Sequence, residues 1–296
     1  MRRWSSGETR SFSPLTTCSA RAENLLYFFI TFIRSLAVSV IDISQEQRAL
    51  YRDEGYMILE RIIPDHYLAL LRGQCQEAIE QMDARMDAEG TDTLGINHRG
   101  SRYFVSNCFK EQPTLREFLF SQLMAEVCRA TLGDNAYLFW EQYVIKGAET
   151  GMKFSWHQDS GYVNYPDHKP YLTCWCALDD MSEANGTVHL LPFSRSGIRS
   201  WVQHIVEEGS NDKVGYFGSD PGITVDVPAG SIVAFTSLNF HSSGTNTTEN
   251  MRRVYLAQYS CEPITSADGS TLWGNAEPLL LNGEMAVGAP IPEVGV

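Results

Sequence analysis

Cysteine chemistry is sparse in this chain. Its seven cysteines are an odd number scattered over 296 residues, which does not fit a secreted disulfide framework. One close pair, Cys174-x-Cys176, lies in the β-forming run YLTCWCAL. No second pair completes a cysteine zinc site, so free thiols buried on one strand face are expected. Positive charge is also short, with 23 Lys and Arg against 36 Asp and Glu and a formal net charge of −13. Phosphate-binding surfaces need a basic face, so nucleic acid is not an expected partner; the acidity reads as solubility. The apolar stretch Leu25–Ile41 carries Arg34 and falls short of the ~20 residues a membrane span needs. Basic residues precede it and Ser35-Leu36-Ala37 follows the small-x-small pattern of a signal peptide, but the leading region is long and contains Glu23. The expectation is a cytoplasmic protein with no stable membrane anchor, whose residues 1–43 form a disordered or loosely packed extension.

What remains is ordinary globular material, 43% hydrophobic and 20% charged, long enough to bury a substantial core. Ser44-Gln45-Glu46-Gln47 reads as a capping box opening the folded domain. A short helix then runs through Tyr51 and stops near Gly55, followed by a strand over Tyr56–Glu60. Leu68, Leu70, Leu71, Cys75, Ile79 and Met82 predict a helix over Tyr67–Met86. The polar, glycine-containing Glu89–Arg102 reads as a loop, and Pro113–Leu132 as a second long helix closed by Gly133. From Ala136 onward the pattern changes to seven or eight short β-type runs divided by turn signals such as Asn185-Gly186, which indicates a β-sandwich or barrel. Gly197–Gly222 is a long polar insert between strands, of the kind that covers sites. No internal repeat or low-complexity tract interrupts the domain.

Within KFSWHQDS, His157 and Asp159 are separated by one residue. On extended backbone they project to the same side, with Gln158 turned away. His66, His98, His168, His189 and His204 read as structural or solvated. His241 differs, because it follows the strand SIVAFTSLNF and opens the loop HSSGTNTTEN. Two histidines and a carboxylate on one face of a metal leave three positions open, which is the pattern of non-haem Fe(II) oxygenases.

These residues, with Arg252 eleven positions after His241, resemble the phytanoyl-CoA dioxygenase family of Fe(II)/2-oxoglutarate oxygenases. The resemblance covers about residues 44–263 and includes SQEQRALYRDEGYMIL, NGTVHLLPFSRSG and HSSGTNTTENMRR. Arg195 departs from it, standing where the family usually has a histidine that is not a metal ligand. The resemblance implies a mainly β fold with N-terminal helices, a double-stranded β-helix or jelly roll. A helical part would span 44–135, the jelly roll 136–263 and a C-terminal tail 264–296, all in one domain. It implies Fe(II) on His157, Asp159 and His241, with 2-oxoglutarate and O2 as cosubstrates. Arg252 would pair with the far carboxylate of 2-oxoglutarate, Ser243 would bond the same carboxylate, and Trp175 and Gln142 would line the cosubstrate pocket. Arg253 has the opposite parity and should point away.

The implied reaction is hydroxylation of an unactivated C–H bond of a small molecule, a metabolite or natural-product intermediate, with release of succinate and CO2. Asp159 stands where related halogenases leave room for halide, which favours hydroxylation. An inactive jelly-roll binding protein and a cupin-type isomerase or zinc hydrolase are the alternatives, and neither accounts for Arg252. Phe154, Trp156, Tyr162 and Tyr165 permit a ring-containing substrate. Glu207, Glu208, Asp212 and Asp220 against Arg199 and Lys213 in the insert lean away from a coenzyme A ester.

Overall fold

In a computed structural model, residues 41–149, 152–163, 167–207 and 212–286 are described. The expectations for residues 1–40, Tyr165 and Glu208 lie outside the described residues. Ser44 caps helix α1 (Gln45–Glu54): its hydroxyl accepts from the Gln47 N–H while the Gln47 side chain accepts from the Ser44 N–H. Gly55, at φ 83°, ends the helix and releases the chain into β1 (Tyr56–Leu59). Helix α2 (Asp65–Glu89) then buries Leu71, Cys75, Ile79 and Met82 along one stripe.

Two expectations need correction here. The stretch read as a loop after α2 holds a short hairpin, β2 (Thr93–Leu94) and β3 (Asn97–His98), which leads into β4 (Arg102–Ser106). The single helix expected over 113–132 is two, α3 (Leu115–Leu119) and α4 (Gln122–Thr131). Ser121 breaks it: its backbone is extended and its hydroxyl accepts from the Met124 N–H. A side chain that caps a new helix competes with continuation of the old one.

The following strands are β5 (Ala136–Lys146), β6 (Phe154–His157), β7 (Leu172–Ala177), β8 (Val188–Leu191), β9 (Ile205–Val206), β10 (Lys213–Val214) and β11 (Ile223–Thr224). After them come β12 (Ile232–Thr236), β13 (Phe240–Ser243), β14 (Arg252–Ser260), β15 (Glu277–Leu281) and β16 (Glu284–Met285). The major sheet runs β1-β12-β7-β14-β5-β4-β3-β2, extended by β15 on β5 and β16 on β15; the minor sheet runs β11-β8-β13-β6. The helical part and the tail therefore both lend strands to the sheet. Trp175, Val233, Val254 and Leu256 of the major sheet share one apolar cluster with Val188 and Leu190 of the minor sheet, which joins the two layers. Helices seal the other face of the major sheet. Tyr143 donates to the Leu71 carbonyl at 3.0 Å and Tyr259 to the Leu119 carbonyl at 2.7 Å, and Cys174 and Cys176 are buried there as free thiols.

Candidate metal centre and active site

The run SIVAFTSLNF is not one strand. It leaves the major sheet at Thr236, turns, and enters the minor sheet as β13. His241 lies inside that strand rather than at the start of a loop, directly opposite His157 on β6. Directly paired residues share a sheet face, and the two imidazole rings lie 4.1 Å apart. Asp159 follows β6 at the first position of a 3-10 turn. His157, Asp159 and His241 each present a ligand atom within 4.8 Å of the others. None of the other histidines joins them.

Hydrogen bonds orient all three groups. Nδ1 of His157 lies 2.7 Å from the Ser155 carbonyl and Nδ1 of His241 3.2 Å from the Asn239 carbonyl. A carbonyl can only accept, so both Nδ1 atoms carry the proton and both Nε2 lone pairs are left for a cation. Those Nε2 atoms lie 3.9 and 3.4 Å from Asp159 Oδ1. The other oxygen, Oδ2, accepts from Thr173 Oγ1 and from Gln258 Nε2 at 3.0 Å. One carboxylate oxygen and two nitrogens thus converge with no proton among them. Burial pushes His157 down to about 3, so it stays neutral. Burial raises Asp159, but His241, His157 and Thr173 outweigh it and hold the carboxyl at about 2. A neutral imidazole pair and an ionised carboxylate fit a divalent metal.

Strand register lays out the rest of the cavity, whose volume is about 470 Å³. Arg102 pairs with Lys146, which pairs with Arg252, so three basic residues form one row across β4, β5 and β14. Arg252 is fully buried, with its Cζ 5.8 Å from the Trp175 ring centre. Its Nε has no hydrogen-bond partner, and among the described residues no carboxylate forms an ion pair with it. Burial pushes it down to about 9, still cationic at neutral pH. Lys146 donates to Ser243 Oγ at 2.7 Å and to the Gly244 carbonyl, leaving the Ser243 O–H as a donor. Burial first and Arg252 second push Lys146 down to about 5. Gln142 and Trp175 both line the cavity, with Gln142 Oε1 accepting from Ser106 at 3.2 Å. Arg253 points the other way and pairs with Asp179 at 2.6 Å.

The polar insert is fastened to the metal ligands by two residues. Gln158, turned away from the cluster, donates to the carbonyls of Ser200 and Leu238 and accepts from the Val202 N–H. The Gln158 N–H in turn donates to His204 Nε2 at 2.9 Å. Gly161 and Gly215 sandwich that ring, since a Cβ at either would stand 2.6 or 2.5 Å from it. Sequence reasoning missed this role for His204, and also Lys146, Arg102, Thr173 and Gln258. Parity within β5 and β14 could have placed Lys146 and Gln258 on the Arg252 face; pairing between distant strands had no local signal.

The sequence profile of the phytanoyl-CoA dioxygenase (PhyH) family matches residues 51–254. Similar proteins include a probable phytanoyl-CoA dioxygenase of Caenorhabditis elegans, 21% identical over 258 residues and covering 80% of this chain and 83% of that protein. Ectoine dioxygenase of Bordetella parapertussis is 26% identical over 221 residues, 69% of this chain and 71% of that protein. Among solved structures, EvdO2 from Micromonospora carbonacea, complexed with 2-oxoglutarate, has a TM-score of 0.60 at 21% identity, covering 77% of this chain and 94% of that one. The α-ketoglutarate-dependent carbocyclase SnoK from nogalamycin biosynthesis has a TM-score of 0.60 at 19% identity, covering 76% and 86%. The structural likenesses establish the jelly-roll fold. The profile match, together with a converging His-Asp-His cluster, makes this chain a member of the phytanoyl-CoA dioxygenase family and an Fe(II)- and 2-oxoglutarate-dependent dioxygenase.

Proposed function

We propose that His157, Asp159 and His241 hold the Fe(II), that Arg252 and Ser243 bind the far carboxylate of 2-oxoglutarate, and that the enzyme hydroxylates a C–H bond of a small molecule. One observation supports this above the others: a fully buried arginine, with no carboxylate paired to it among the described residues, lines the same cavity as three metal-ligand atoms. A buried cation left unpaired is costly, and a planar guanidinium suits a carboxylate. A binding protein or an isomerase has no use for that anion site. When bound, the iron and its cosubstrate supply the oxidation, consuming O2 and 2-oxoglutarate and releasing succinate and CO2.

The chain's own residues do the positioning. Thr173 and Gln258 occupy Asp159 Oδ2 so that Oδ1 faces the metal. Ser155 and Asn239 select the histidine tautomers. Val144, Val254 and Trp175, all buried, keep water from the span between Arg252 and the ligands. We also place the start of the domain at Ser44, with residues 1–43 outside it. The test is calorimetric titration of Fe(II)-loaded protein with 2-oxoglutarate under nitrogen, followed by succinate assay in air. Binding and succinate formation are expected, both lost in Asp159→Ala because the metal is lost. A metal-loaded protein that does not bind 2-oxoglutarate refutes the reading.

A further inference from the structure

We propose that His204 is a positioning residue for the metal: reaching in from the polar insert, it fixes the peptide between His157 and Asp159 and so governs how tightly the divalent cation is held. This rests on the metal roles given above. The two ligands face one cation only while Gln158, the residue between them, stays extended. Its backbone lies at φ −102° and ψ 140°, one residue beyond the end of β6 and just before the 3-10 turn. The Gln158 N–H donates to Nε2 of His204 at 2.9 Å.

The His204 ring is built for that task. Its Nδ1 lies 2.8 Å from the Val202 carbonyl. A carbonyl can only accept, so Nδ1 carries the proton and Nε2 is left as an acceptor. The residue is buried and caged from two directions. A Cβ at Gly161, in the turn that opens with Asp159, would stand 2.6 Å from the ring. A Cβ at Gly215, just after β10, would stand 2.5 Å from Nε2 itself. Both glycines are thus required by the closeness of the ring.

The insert grips the same stretch at further points. The Gly215 N–H donates to the Trp156 carbonyl at 2.9 Å, and Lys213 Nζ to the Gly161 carbonyl at 2.8 Å. The buried Gln158 side chain bonds Ser200 and Val202 of the insert and also the Leu238 carbonyl. Leu238 precedes Asn239, whose carbonyl selects the His241 tautomer. One node therefore holds the backbone that leads to all three ligands. Without an acceptor at Nε2, the buried Gln158 N–H would lack a partner, which is costly. The metal-free chain can relieve that cost by turning the peptide toward water, and Asp159 turns with it. A cation must then draw the peptide back and bury the N–H again, so the cost falls on metal affinity.

The test titrates the full chain with Mn(II) calorimetrically, well below its melting temperature. His204→Leu keeps an apolar side chain of similar size and removes the acceptor; it should weaken Mn(II) by about tenfold or more. Gly215→Ala, which sets a methyl against Nε2 and leaves His204 in place, should shift affinity in the same direction. His204→Gln, whose side-chain oxygen can reach the Nε2 position, should return to within about threefold of wild type. That rescue separates an acceptor from a ring that merely fills space. A folded His204→Leu or Gly215→Ala protein that binds Mn(II) like wild type overturns the proposal. So does a folded His204→Gln protein as weak as His204→Leu. Thermal melts without metal report folding, and if His204→Leu does not fold, Gly215→Ala and His204→Gln decide. If the wild-type chain itself binds no Mn(II), the assignment of the metal ligands falls instead.

Discussion

The two faces of the major sheet are built from the same strands and carry opposite chemistry. On β14, Arg252, Val254, Leu256 and Gln258 look into the cavity, while Arg253, Tyr255 and Tyr259 look toward the helices or the outer rim. On β5 the cavity side carries Lys146, Gln142 and Trp140, and the helix side carries Tyr143 and Glu141. Both faces bury ionisable groups. The inner one buries Arg252, whose Nε has no hydrogen-bond partner. The outer one buries Glu141, whose carboxylate accepts from the Phe109 N–H at 3.0 Å and is pushed up to about 7 by burial. Under the proposed cosubstrate role of Arg252, burial of charge serves function on one side and costs stability on the other. What separates them is whether a cavity or a helix lies above.

Neighbouring substitutions on opposite faces should break this comparison if it is wrong. The largest effect is expected from Arg252→Ala, which leaves the far carboxylate of 2-oxoglutarate buried without its cation. Such losses run to about 2–5 kcal/mol, a rise of roughly thirtyfold or more in the apparent 2-oxoglutarate constant. Metal affinity, read by Mn(II) titration, should hold, and Arg252→Lys should not restore wild-type behaviour because the planar fork is gone.

Glu141→Gln comes next and should touch stability alone. Below the ordinary carboxyl value of 4.5 both folded and unfolded chains hold the proton, and Glu141 costs nothing. As pH rises from about 4.5 to about 7, the unfolded chain ionises first, so the folded state loses ground by roughly 3 kcal/mol. Denaturant melts should show Glu141→Gln level with wild type near pH 4.5 and more stable at pH 8, with an unchanged 2-oxoglutarate constant. The smallest effect is expected from Arg253→Ala. It removes a partly exposed pair with Asp179 worth about 1 kcal/mol and should leave the 2-oxoglutarate constant within about twofold. If Arg253→Ala were the variant that raised this constant, the assigned faces would be reversed.

The alternation behind these contrasts was open to reading from the residues alone. Side chains on a strand alternate because of covalent geometry, so the shared direction of His157 and Asp159 and the opposed directions of Arg252 and Arg253 needed no other part of the chain. The capping box at Ser44 was equally local. The break at Ser121 escaped because a serine inside a long helical pattern is compatible with both states until packing chooses.

The sequence by itself determined the residue types of the converging cluster, the shared direction of His157 and Asp159, and the opposed directions of Arg252 and Arg253. Only the tertiary structure decided that the chain crosses sheets between Thr236 and Phe240, which sets His241 opposite His157. It also decided that Arg102 and Lys146 stand in line with Arg252 and that His204 returns to the Gln158 N–H. These are adjacencies between residues far apart in the chain. They depend on which strands pair and in which register, and those choices are made by burying one common core rather than by any residue's own preference.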